Sequence, residues 1–489
     1  MGDGLFVNTV RGLKWSTISR ISQQGLQYAS TIILVGVLSP DDFGLMAMSM
    51  IVIGFLDIFK DFGTSSAIIK VENPSNDLKC SLFWVNVGFG LLIFLIIYFT
   101  SPFLAELFNS VKVISVLQIL SLSFLITGFS IQQKALLEKE LSFQILSLIE
   151  LLSSAIAFLV AVYLALNGFG VWSLVWQVLS NTFLSTVLIW IFSNWKPGFH
   201  FKTSELKKIK AYSSNLVGFN LINYFARNGD YFLIGKFLGE HALGHYYLAY
   251  RIMLYPMRNI TTVISRVIFP AFSIVQRDNS KLRDAYVNVT NSIAIITFPI
   301  MAGLALVSFN ITDTFFGANW DTTLVAQIII ILAPVGALQS ITHTTGVIYQ
   351  VKGRTDWMLK WSLFATTITL VGFFIGLNWG ITGVAISYLV TNLFLILPVF
   401  IIPFKLINLP IVNFLRSFEL TVLCVLGMSV IVFIGSYLIE DYYTDIITLV
   451  ILITLGIGSY IMISYWINKK KLIEIKSMIS KYYKATKKD

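Results

Sequence analysis

The sequence predicts an all-α polytopic membrane protein of about fourteen transmembrane helices, and three observations carry that expectation. Of its 489 residues, 56% are hydrophobic and only 12% charged, with a mean hydropathy of +0.78. That is about half the charged share of a soluble domain. Apolar runs of 18 or more residues recur from end to end, each long enough to cross a hydrocarbon core of about 30 Å. With the N-terminus placed in the cytoplasm, 27 of the 35 lysines and arginines fall on inner loops, inner span edges and the two tails. One (Lys112) falls outside and seven lie within spans, the bias that the positive-inside rule requires.

Taken in order, the expected spans cover residues 12–38, 43–69, 81–101, 113–133, 143–166, 171–193, 211–237, 243–270, 287–309, 323–350, 358–379, 381–403, 413–438 and 446–467. Short joints such as Ser39-Pro40-Asp41-Asp42, Asn167-Gly168 and Asn378-Trp379-Gly380 separate pairs of spans, and longer basic segments separate the next pairs. Asp41, Asp42, Glu440, Asp441 and Asp445 collect on the side opposite the basic loops. No short apolar segment ends in small residues as a cleavable signal does, so the first span is expected to be its own insertion signal. The lysine-rich tail from Lys469 to Lys488 reads as solvated or bound to headgroups. The net charge of +10 is a topology signal with affinity for anionic lipids, and it does not indicate nucleic acid.

The chain repeats itself. Arg20, Gln23, Gln27 and Ser30 in the first span stand 200 residues before Asn220, Asn223, Arg227 and Asp230 in the seventh. The same offset relates Leu38 to Leu238 and Gly44 to Gly244, and Gly170-Val171 opening span 6 matches Gly383-Val384 in span 12. Residues 1–195 and 196–405 therefore read as two six-helix lobes, with 406–489 adding two helices and a basic tail. An even number of spans per copy gives both the same orientation, hence a pseudo-two-fold axis along the membrane normal.

The stretch from Ser213 to Tyr246 stands out within this pattern. Asn220, Asn223, Arg227 and Asp230 recur at spacings of 3, 4 and 3, on one helical stripe. An ionisable group inside a span costs roughly 2.5–3.5 kcal/mol on insertion scales and marks a candidate functional site. Such a stripe requires a wet or polar surface to face. The cations within spans are Arg20, Lys60, Arg227, Lys236, Arg251, Arg258 and Arg266, the last three sharing one face of span 8. The acids are Asp57, Asp61, Glu150, Asp230 and Glu419. Asp57, with Lys60 and Asp61 three and four residues after it, is read as part of a self-neutralising triplet on span 2. Glu150 has no basic residue at i±3 or i±4, which leaves it cavity-facing or protonated.

Other chemistry is weakly supported. Cys80 and Cys424 lie far apart, against a disulfide framework or zinc site. His241 and His245 share a helical face but lack the glutamate of a zinc-protease helix, so a structural or surface role is expected, and helix packing for His343. No serine sits in a nucleophile elbow, and the absence of a Gly-x-x-x-x-Gly-Lys-Ser/Thr loop argues against ATP hydrolysis and against a bound cofactor.

The run Gly-Asp-Tyr-Phe-Leu-Ile-Gly-Lys-Phe-Leu-Gly at 229–239, then Ala242-Leu243-Gly244, Tyr247 to Arg251, and Arg266-Val267-Ile268-Phe269-Pro270-Ala271 resembles the polysaccharide-exporter branch of the multidrug/oligosaccharidyl-lipid/polysaccharide flippase superfamily. The turn from Ser39 to Gly44 and Asp61-Phe62-Gly63 are similar to the first-half equivalents. The likeness covers essentially the whole chain and separates this branch from unrelated transporters better than it defines the glycan. It implies a V-shaped flippase in a bacterial cytoplasmic membrane, both termini cytoplasmic, with twelve core helices around a central cavity. Its expected substrate is a polyprenyl-pyrophosphate-linked oligosaccharide, and its expected partners are membrane lipids and a polysaccharide polymerase or export machinery.

On that reading, two phosphates cannot enter hydrocarbon unpaired, and fork-shaped guanidinium groups suit their oxygens. Arg227 and Arg251 are the expected centre of a headgroup cradle, supported by Arg20, Lys60 and Arg258, with Gln23, Gln27, Asn220 and Asn223 binding the glycan. Lys236 and Arg266 are expected to snorkel to the two interfaces. Asp61 and Asp230, with Asp57 and Glu150, are the candidates for coupling to Na⁺ or H⁺; intrahelical pairing that lets a helix insert is the simpler alternative. A multidrug or organic-cation exporter of the same fold is the rival reading, disfavoured because cations within spans outnumber acids. A membrane glycosyl or acyl transferase is disfavoured because the outer loops are short and hold no catalytic cluster.

Overall fold

The computed structural model describes residues 19, 22–60, 64–202, 210–439 and 444–468, without the side chains of 66, 67, 70, 210–223, 226, 256–268, 270 and 271. The described elements are helices. They form two compact units, one of Met1–Gly244 with Gly317–Asn319 and one of His245–Phe316 with Trp320–Asp489.

In the first unit a helix over residues 22–37 (α1) leads into α2 (Pro40–Asp57). The start of α2 follows from its sequence. Ser39 Oγ accepts the Asp42 N–H, the Asp42 carboxylate accepts the Ser39 N–H, and Pro40 stands where no backbone donor is needed. Then come α3 (Thr64–Lys70), α4 (Asn76–Leu107), α5 (Lys112–Gly128), α6 (Ile131–Lys139), α7 (Phe143–Leu166) and α8 (Val171–Phe192). The next helix, α9 (Lys210–Val275), bends at Gly239, whose φ of 84° and ψ of −178° only glycine adopts without strain. The chain passes from the first unit to the second at Gly244, five residues after the bend.

The second unit continues with α10 (Asn279–Leu306), α11 (Ser308–Phe315), α12 (Thr322–Thr342), α13 (Thr345–Val351), α14 (Thr355–Gly376) and α15 (Gly380–Phe404). It closes with α16 (Ile411–Arg416), α17 (Glu419–Ile439) and α18 (Asp445–Ile467). Packing repeats between the units. In the first, α4 lies on α5, α7 on α8 and α5 on α8; in the second, α10 lies on α12, α14 on α15 and α12 on α15. The α17–α18 hairpin is held against α10 and α11 by Val307, Met428, Val432, Leu449 and Leu452, and Tyr460 donates to the Ile295 carbonyl at 2.7 Å.

By length and composition, eight helices among the described residues can cross a membrane, or nine if the bent pair α5–α6 is one span. Two expected spans are interrupted. Span 2 ends at Asp57, where the ladder tightens to i−3 bonds through Ile58, Phe59 and Lys60. Lys60 therefore lies beyond the helix and not inside it. Span 4 stops at Gly128 and turns by 45° into α6. Hydropathy averages over such breaks, because the residues on both sides remain apolar. Span 10, made of α12 and α13, reads as one candidate crossing from Thr322 to Val351.

The 200-residue offset reappears as geometry. A Cβ on Gly44 would fall on the Glu240 carbonyl oxygen, and a Cβ on Gly244 would fall on the Pro40 carbonyl oxygen. The contact is reciprocal: position 44 meets 240 while 244 meets 40, as at an isologous interface. His241 Nδ1 lies 2.7 Å from Asp41 Oδ1, a third pair across the same offset. Burial follows suit, with Gln27 and Arg227 both exposed and Ser30 and Asp230 both buried.

Candidate functional site

The polar stripe foreseen on the first arm of α9 divides by environment. Arg227 is exposed, whereas Asp230 keeps 3% of its surface and accepts the Tyr231 N–H at 2.9 Å. Three residues along a helix are 60° apart around it, enough to place one side chain at the surface and the other in the packing. Tyr224, one turn before Arg227, bonds the Ile51 carbonyl of α2 at 2.5 Å. The side chains of Asn220, Asn223, Arg258 and Arg266, and the whole of Arg20 and Asp61, lie outside the described residues.

On the second arm, Arg251 is half-buried and donates from Nη1 to Tyr247 Oη at 3.2 Å. Its guanidinium carbon lies 5.7 Å from the Tyr247 ring centre and 5.2 Å from that of Tyr255. Spacing of four residues on each side makes this stack possible, since i and i±4 side chains are neighbours on a helix. The two tyrosines were legible as i±4 partners, yet a search for charges passes over aromatic residues. Lys236 sits over the Phe237 ring at 5.7 Å near the bend.

Arg227 and Arg251 each stand 12 residues from Gly239, one on each arm. At 1.5 Å per residue that is about 18 Å of helix on either side of the bend.

The remaining candidates form separate groups. Gln23 donates to Ser19 Oγ at 2.9 Å and to Glu150 Oε2 at 3.1 Å, and Lys134 pairs with Glu150 Oε1 at 3.4 Å. Glu150 thus has a basic partner, supplied by α6, which intrahelical spacing on α7 could not reveal. With both side chains 40–45% exposed the pair is worth about 0.2–1 kcal/mol. Glu150→Gln should consequently leave the thermal midpoint of the detergent-purified protein nearly unchanged; a large drop would mean a structural role. Gln27 is exposed, and its carbonyl accepts from Thr31. Asp57 pairs with Lys60 at 2.7 Å, both partly exposed, which matches two members of the expected triplet.

The histidines hold structure. His245 is buried, and its Nε2 accepts the Asp321 N–H at 3.2 Å beside the Trp320 ring. Among the described residues no group of three or more His, Cys, Asp or Glu is placed to hold a metal.

These features, a helical fold with eight or nine apolar helices long enough to cross a membrane among the described residues and arginines on both arms of a bent helix, define a polytopic membrane protein. The same fold occurs in a solved structure of the lipid II flippase MurJ in an inward closed conformation, with a TM-score of 0.72, 16% identity and coverage of 94% of this chain and 99% of that one. An inward-facing multidrug resistance MATE family transporter of the MOP superfamily follows at 0.64, also 16% identical, covering 79% and 94%.

The chain belongs to the polysaccharide biosynthesis protein family, whose model matches residues 33–325. Its relatives include the lipopolysaccharide biosynthesis protein WzxC of Escherichia coli K12, 28% identical over 452 residues, or 92% of this chain and 88% of the relative. The teichuronic acid biosynthesis protein TuaB of Bacillus subtilis 168 is 29% identical over 355 residues, covering 72% of each. The succinoglycan biosynthesis transport protein ExoT of Rhizobium meliloti 1021 is 25% identical over 310 residues, 63% of each. Among these relatives ExoT is named as a transport protein, and the family model and the others carry polysaccharide biosynthesis names.

Proposed function

We propose that the protein moves a polyprenyl-pyrophosphate-linked oligosaccharide from the cytoplasmic to the outer leaflet of a bacterial inner membrane, both termini lying in the cytoplasm. The observation that carries this reading is the placement of Arg227 and Arg251, exposed and half-exposed, equally far from the bend of α9. Charge within an expected span needs an anionic or aqueous counterpart, and a pyrophosphate headgroup is an anion that must cross the bilayer. The prenyl tail stays in lipid.

Movement is proposed to be alternating access by two six-helix lobes, residues 1–195 and 196–405, with 406–489 appended. The reciprocal contact of positions 40 and 44 with 240 and 244 supports a duplicated unit related by a pseudo-two-fold axis. Arg20, Lys60 and Arg258 assist the cradle, Gln23, Gln27, Asn220 and Asn223 engage the glycan, and Asp57, Asp61, Asp230 and Glu150 are the carboxylates through which Na⁺ or H⁺ would drive the cycle. A polymerase or export assembly would take up the product.

Lipid extracted from the purified protein and identified by mass spectrometry tests the substrate. The expected result is a polyprenyl pyrophosphate bearing sugars. Recovery of ordinary phospholipid together with an amphipathic cation would favour a drug exporter and end this reading.

A further inference from the structure

We infer that Tyr247 and Tyr255 form, with Arg251, a single recognition subsite for the junction between the phosphate and the first sugar of the lipid-linked glycan. The inference rests on the flippase reading above and adds the residues that set its sugar dependence.

The second arm of α9 carries tyrosine on two stripes. On one, Tyr246 and Tyr250 are buried and stacked at 5.9 Å, and Tyr250 stacks in turn on Tyr388 at 6.2 Å, where Gln339 donates to the Tyr388 hydroxyl. That stripe accounts for packing. The other stripe, Tyr247, Arg251 and Tyr255, is only partly buried. Its two rings bracket one guanidinium, and the Tyr247 hydroxyl takes a hydrogen bond from one of its nitrogens, which fixes the plane of the fork.

A fixed guanidinium loses little freedom when it engages phosphate oxygens in pairs, whereas a wandering one loses much. Cation–π attraction to two rings strengthens as water leaves, so the bracket holds best when a headgroup covers it. The tyrosine rings also offer electron-rich faces on either side of the charge. The C–H face of a pyranose ring is weakly positive and suits such a surface. A phosphate on the guanidinium therefore brings its attached sugar against one of the rings.

The test uses the full-length protein in nanodiscs and two probes, undecaprenyl pyrophosphate and the same lipid carrying one N-acetylglucosamine, with binding read by native mass spectrometry. Arg251→Ala should weaken both probes at least tenfold. Tyr247→Leu and Tyr255→Leu should weaken the glycosylated probe at least tenfold while changing the bare lipid much less, and Tyr255→Phe should restore wild-type preference. Leucine variants that bind like wild type, or that weaken both probes equally, would overturn the subsite while leaving the flippase reading intact. An Arg251→Ala protein that binds both probes normally would instead remove Arg251 from the cradle, and with it this inference.

Discussion

Arg227→Ala is expected to abolish export of the lipid-linked glycan while the protein stays folded and inserted. A guanidinium meeting a pyrophosphate makes charge-assisted hydrogen bonds of about 1.5–3 kcal/mol each, so two of them correspond to roughly a hundredfold or more in transport. The effect on folding should be small. Arg227 is exposed, and substitutions at exposed positions ordinarily shift stability by no more than about 0.5 kcal/mol. Arg227→Lys should recover only part of the activity, because an ammonium does not reproduce the planar fork. Surface glycan and membrane content of the protein, measured side by side, decide the matter: undiminished export in the alanine variant excludes Arg227 from the cradle, and a parallel loss of protein would point to a structural duty.

Gly44→Val and Gly244→Val are expected to destabilise the protein strongly, each by about 3 kcal/mol. The added atoms would occupy the positions of the Glu240 and Pro40 carbonyl oxygens, and backbone cannot swing away as a flexible side chain can. Relief requires α2 and α9 to separate, which also lengthens the His241–Asp41 contact. Because both glycines pack at a single crossing of α2 and α9, the double variant should cost less than the sum of the singles. Thermal unfolding of the detergent-purified variants measures this. Wild-type midpoints would mean that the crossing is not close-packed in the folded protein.

Much of this protein can be read from its residues alone. The helical membrane class follows from apolar run length, the lobe duplication was inferred from the 200-residue offset, and the small residues at 44 and 244 are visible as repeated positions. The rule behind each is local or periodic: spans have a minimum length, and a duplicated unit keeps its spacing. The i, i+3 pairing of Asp57 with Lys60 was accessible in the same way, since both ends lie on one turn. Interruptions of spans 2 and 4 were not accessible, because a bend changes hydrogen bonding without changing hydropathy.

Only the tertiary structure decided which neighbours the ionisable groups keep. Glu150 looked solitary because its basic partner comes from α6, sixteen residues away and on another helix. Arg227 and Asp230 looked equivalent on a helical wheel, yet the fold exposes the first and buries the second. Sequence spacing determines which side chains share a face of a helix; which face is covered, and by what, depends on contacts between residues far apart in the chain.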